Sequence, residues 1–227
     1  MERRKALIET LVEQKANHDW QGCLETIFRI LYGLPVDIQM NLAQFAINQY
    51  LPIFQRKWPA IAWPAKLVSD VNDWLTNHGR NVPSEPDLDA ADSIFLFSFD
   101  ALVLAASNPN DRLILTSSCL VSVNSAINAL QCNVWIADDP EGVEMWRQQG
   151  YFPGRSMGEN RPAIAVAERE WEKIGAWLRN KEVWLQTNAF PIEEIENALT
   201  RWNQHEMLLI LPRESGALEE SSNDDRH

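Results

Sequence analysis

Apolar residues recur every three or four positions through the first part of the chain, and this spacing predicts a series of helices. The first helix is predicted over residues 2–17. Asp19 is placed to cap a second helix, which the Gly33-Leu34-Pro35 turn ends. A third helix is predicted to begin at Val36, and Pro52 is expected to kink or stop it because proline lacks the N–H that the helix ladder needs.

Two Trp-Pro pairs, Trp58-Pro59 and Trp63-Pro64, stand between the third helix and the next one. Pro64 suits the first turn of a fourth helix, where a missing N–H costs little. We expect a corner in which both indole rings pack against neighbouring helices while the prolines set the direction of the chain. The alternative is that Trp58 or Trp63 is exposed and anchors a binding partner, because tryptophan is enriched among interface hot spots.

Two long apolar runs, residues 88–106 and 113–130, flank an Asn108-Pro109-Asn110-Asp111 turn. Both runs are too long for typical strands and are rich in Ala, Ser and Leu, so they predict a helical hairpin. A short helix over residues 140–149 follows. Small side chains would let the two backbones of the hairpin approach closely, and the candidates are Ala101, Ala105, Ala106, Ser117, Ser118, Ser122, Ser125 and Ala129.

The pattern changes after residue 150, where short apolar runs alternate with amphipathic ones. Strand, helix, strand, helix and strand are predicted in turn over residues 163–167, 170–180, 183–186, 191–203 and 207–211. This order predicts a small α/β-like βαβαβ unit with right-handed crossovers. The alternative is that residues 163–167 merely begin the helix that follows them.

The fold expected from these patterns is mainly α. A domain of antiparallel helices is predicted over residues 1–150, followed by the α/β-like unit over residues 160–212. Residues 213–227 contain five acidic residues and few apolar ones, so we expect a disordered acidic tail there.

Charge narrows the choice of partners. The net charge is −12, from 20 basic and 32 acidic residues, and residues 81–146 hold ten acidic residues against one basic residue, Arg112. A nucleic-acid interface needs a surplus of Lys and Arg, so this composition disfavours nucleic acid as a partner.

Cysteine usage and hydropathy indicate a cytoplasmic protein. Cys23, Cys119 and Cys132 are widely spaced, which predicts buried thiols and argues against a disulfide framework or a zinc ribbon. The longest apolar runs fall short of the ~20 residues that span a bilayer. The N-terminal MERRKALIETL lacks the apolar core and cleavage site of a secretion signal. We therefore expect no membrane association.

Two acidic clusters contain most of the candidate binding residues. They comprise Asp87, Asp89 and Asp92 in EPDLDAAD, and Asp138, Asp139 and Glu141 in DDPE. Carboxylates suit Mg²⁺ or Ca²⁺, but capping of helix N-termini also explains both clusters, so we predict no metal and no cofactor. If both clusters face one side of the protein, they form an acidic surface that attracts a basic protein. These six residues and Trp63 are the predicted partner contacts.

No catalytic residue is predicted. His18, His78 and His205 form neither HxxxH nor HExxH. Ser117-Ser118-Cys119 lies in an apolar run without the glycines of a nucleophile elbow. No glycine-rich phosphate loop occurs among the 9 glycines. A metal-dependent hydrolase that uses the aspartates is the enzyme alternative.

The region of the Trp-Pro pairs resembles the "immunity protein five" family of bacterial polymorphic-toxin systems. The family pattern is a helix that ends in LPLF, an aromatic-Pro pair, and a second proline that opens a helix with a tryptophan. The same order occurs here in Leu51-Pro52-Ile53-Phe54, Trp58-Pro59, Pro64 and Trp74. The chain has Ala60-Ile61-Ala62-Trp63 where the family tends to have a charged corner. With the Ala- and Ser-rich hairpin, the resemblance covers about residues 41–130.

The resemblance implies an all-α protein that neutralises a toxin by covering its surface, without turnover or cofactor. Acidic and aromatic residues of this chain would contact a basic toxin. A structural or regulatory helical scaffold is the alternative, and it predicts an exposed apolar patch together with a stable oligomer. The sequence does not determine the oligomeric state.

Overall fold

A computed structural model of the chain describes residues 2–71, 89–148, 160–180 and 191–210. Nine helices and no strand occur in these ranges. The helices are α1 (Glu2–Ala16), α2 (Trp20–Leu31), α3 (Val36–Lys57), α4 (Trp63–Asp70), α5 (Ala90–Ser107), α6 (Arg112–Asp138), α7 (Pro140–Gln148), α8 (Arg161–Arg179) and α9 (Ile192–Ile210).

Local sequence explains the ends of the first helices. The Asp19 side chain accepts a hydrogen bond from the Gly22 backbone N–H at 2.9 Å, which confirms the predicted cap of α2. Gly33, just after α2, has a φ of 80°, a left-handed conformation that suits glycine. Pro64 lies in the first turn of α4, as predicted.

Pro52 does not end α3, which continues through it to Lys57. The missing N–H of Pro52 leaves the carbonyl of Asn48 without its usual helical partner. Both Asn48 and Pro52 lie on the exposed side of α3, where water can bind that carbonyl. The proline is therefore tolerated inside the helix.

The buried apolar residues form two cores that share α6. One core lies among α1, α2, α3, α6, α8 and α9 and includes Phe28 and Trp171. The other lies mainly among α3, α4, α5 and α6 and includes Tyr50 and Phe95. Because α6 supplies residues to both and packs against α2, α3, α5, α7, α8 and α9, it is the central helix of the described structure.

The predicted hairpin is confirmed as α5 and α6, which pack along their length. The Ser122 hydroxyl donates to the Ser98 backbone carbonyl at 2.8 Å, which shows how closely the helices approach. Ser117 and Ser125 are half-buried, and the other small residues predicted to face the partner helix are buried.

Among the described helices, α6 alone has the length and apolar character that could cross a membrane. Of its most apolar window, 61% is buried inside the protein. A core helix passes the same test of length and composition, and α6 occupies a core position.

The predicted βαβαβ unit is wrong in the residues that the structure describes. Residues 163–167 belong to α8, and residues 207–210 belong to α9. The Asn160 side chain accepts a hydrogen bond from the Ala163 N–H at 2.9 Å and so starts a helix at this point. The buried residues of α8 then recur at helical spacing: Ala163, Val166, Ala167, Glu170, Trp171, Ile174, Gly175 and Leu178. The alternative that residues 163–167 begin the helix is the correct one.

Two parts of the C-terminal prediction lie outside the described residues, namely the strand at 183–186 and the tail at 213–227. The helices that are described, α8 and α9, join the core that α1 and α2 also build. The coarse prediction of a mainly helical protein is confirmed.

Candidate functional site

The corner between α3 and α4, which contains Trp58, surrounds a buried carboxylate. Asp92, in the first turn of α5, is 0% exposed. The Tyr50 hydroxyl donates to its Oδ1 at 2.9 Å, and the Trp58 Nε1–H donates to its Oδ2 at 3.0 Å. The Lys57 ammonium lies 3.3 Å from the same Oδ2. The Trp58 ring therefore packs at the corner and also satisfies a buried charge.

Asp89 completes what we call the Asp92 cluster, which comprises Tyr50, Lys57, Trp58, Asp89 and Asp92. Asp89 caps α5 by accepting a hydrogen bond from the Asp92 backbone N–H at 2.9 Å. Its other oxygen accepts from the Lys57 ammonium at 2.7 Å. Capping, which the sequence offered as the alternative to metal binding, is thus confirmed for Asp89.

The pKa values of the two carboxylates in the Asp92 cluster are shifted in opposite directions from their ordinary values. Burial raises the pKa of Asp92, and repulsion from Asp89 adds to this effect, although Trp58, Tyr50 and Lys57 oppose it. Burial also acts on Asp89, but the Lys57 ammonium and the Asp92 N–H hold the Asp89 pKa below its ordinary value. Burial raises the pKa of Tyr50, so its hydroxyl remains a donor across the usual pH range.

Replacing Trp58 with phenylalanine is expected to lower the free energy of unfolding at neutral pH by about 1.5–3 kcal/mol, because a hydrogen bond to a charged group is lost. The change also removes a group that lowers the pKa of Asp92. The penalty should therefore grow as pH rises through the Asp92 pKa and shrink in acid. Urea unfolding across pH measures it.

Trp63→Phe is the matched control for Trp58→Phe. The Trp63 Nε1 is buried and has no hydrogen-bond partner within the described residues, so its removal costs no such bond. We expect a smaller and pH-independent change. Equal penalties for the two variants would contradict the role assigned to the Trp58 N–H.

Asp89 and Asp92 of the first predicted acidic cluster therefore make their contacts within the protein. Asp92 has no surface accessible to a partner, and Asp89 is half-buried against Lys57. Asp87 lies outside the described residues. Charge reversal at Asp89 or Asp92 would therefore alter the stability of the protein, and it would not isolate an effect on partner binding.

The second predicted cluster is at the surface. Asp138, Asp139 and Glu141 are exposed, and with the exposed Glu144 they form what we call the α6–α7 acidic patch. Asp138 and Asp139 also make local hydrogen bonds. Asp139 caps α7 by accepting from the Gly142 N–H at 2.9 Å, and Asp138 accepts from the Asn160 side-chain amide at 2.9 Å.

Trp63 is half-buried, and its ring meets Phe99 edge to face with 5.3 Å between centroids. Both corner tryptophans thus pack against the core that α3, α5 and α6 build, which confirms the packing interpretation. The exposed part of Trp63 stays a predicted partner contact.

Sequence reasoning missed a second buried carboxylate, Glu170 on α8, which is 2% exposed. The Lys173 ammonium donates to both Glu170 oxygens at 2.9 Å and to the Gln49 side chain of α3 at 2.9 Å. This arrangement ties α8 to α3. The sequence pattern could have indicated its burial, because Glu170 falls at helical spacing on the apolar side of α8.

The described residues offer little for small-molecule chemistry. No three His, Cys, Asp or Glu side chains gather there in a way that could hold a metal ion. A groove of about 370 Å³ beside Tyr32 and the first turns of α9 is open to solvent. The three thiols are buried, as predicted, and burial raises the pKa of Cys23 to about 12, which keeps it protonated.

No protein-family model, curated protein or solved structure matches this chain. The geometry of its own residues is therefore the basis for a functional conclusion.

Proposed function

We propose that this protein is a non-enzymatic binding module, of the immunity-like kind, that covers the surface of a basic partner protein. The observation that carries the proposal is the α6–α7 acidic patch, whose four carboxylates are all exposed. Residues 113–146 of the sequence contain no Lys or Arg. The resemblance of residues 41–130 to a toxin-immunity family supports the same proposal, and it implies that the partner is a basic toxin.

Electrostatics explains what such a patch contributes. Exposed carboxylates at one end of α6, on a chain with a net charge of −12, produce a negative potential that attracts positive surfaces over about one Debye length. Such fields raise the association rate more than they lower the dissociation rate. The partner should therefore bind rapidly at low salt and more slowly as salt rises.

The first experiment is affinity capture from the native host, with the purified chain as bait, at low and at moderate salt. A basic protein that is retained at low salt and lost at moderate salt is the expected result. Capture of acidic proteins alone, or of a basic protein whose retention does not change with salt, would contradict the proposal.

Neutralising the acidic patch is expected to slow association with the captured partner. The variant is Asp138→Asn, Asp139→Asn and Glu141→Gln, because asparagine can still cap α7 and still accept from Asn160. We expect the association rate constant to fall about three- to tenfold at low salt while the dissociation rate constant changes little. Surface plasmon resonance measures both.

A variant with the same change in charge elsewhere serves as the control. Glu9, Glu13 and Asp37 are exposed on α1 and α3, and their amide variants remove three charges without touching the patch. Equal slowing in both variants would show that only net charge matters, and the patch would not be the binding surface.

A further inference from the structure

We draw no further inference here: the strongest candidate, the surface of α5 where the apolar side chains of Phe97 and Leu104 are 55% and 50% exposed, carries none because nothing in the structure shows what covers it.

Discussion

Replacing Asp92 with alanine is expected to lower the free energy of unfolding by about 3–5 kcal/mol, the cost of removing one partner from a buried charged group. The change leaves the Tyr50 hydroxyl and the Trp58 N–H without their acceptor, and it leaves Lys57 with Asp89 alone. Urea denaturation of the purified full chain measures the loss.

Asparagine at position 92 tests whether the acceptor atoms are what matters. Its carbonyl oxygen can still accept from Tyr50 or Trp58, but its amide N–H groups oppose the remaining donor. We expect a loss of about 1–3 kcal/mol, smaller than for alanine. Asp37→Ala, on the exposed first turn of α3, should cost less than about 1 kcal/mol. If Asp92→Ala lowered the free energy of unfolding as little as Asp37→Ala does, the Asp92 carboxylate would not hold α3 to α5.

Phe95→Ala is expected to cost about 3–5 kcal/mol, whereas Phe97→Ala, two residues away, should cost less than about 1 kcal/mol. Phe95 is 0% exposed, and its ring contacts those of Tyr50, Phe54 and Phe99, so truncation leaves a cavity. Phe97 faces water and leaves none.

The comparison of these two phenylalanines also tests the orientation of α5. Both positions carry the same side chain on the same helix, so propensity contributes equally to each. The reverse order of losses would mean that α5 presents Phe95 to solvent and buries Phe97. Urea unfolding with an unchanged m-value is the required measurement.

Sequence reasoning succeeded where short-range interactions decide the structure. Asp19 and Asp139 were predicted as caps because a carboxylate followed three residues later by a free N–H is a local arrangement. The hairpin was predictable because runs of its length exceed what a strand uses. Reasoning failed at residues 163–167, where a short apolar run fits a strand or a helix until Asn160 and the later members of α8 are considered.

The contacts of the candidate site could not be predicted from the sequence. Asp89 and Asp92 are three residues apart and look alike in sequence, yet one caps α5 at the half-exposed edge and the other is buried. The partners of Asp92 lie 42 and 34 residues away, on α3 and just after it. Which carboxylate meets them depends on how α3 packs beside α5.

The sequence by itself determined that the chain is mainly helical, where most of its helices begin, and that its central part is acidic, because caps, periodicity and charge are local properties. Only the tertiary structure decided which acidic residues reach water and which apolar side of α5 remains uncovered. Burial depends on neighbours that are distant in sequence, and α5 is apolar on nearly every side, so its own pattern could not show that Phe95 is enclosed while Phe97 faces solvent.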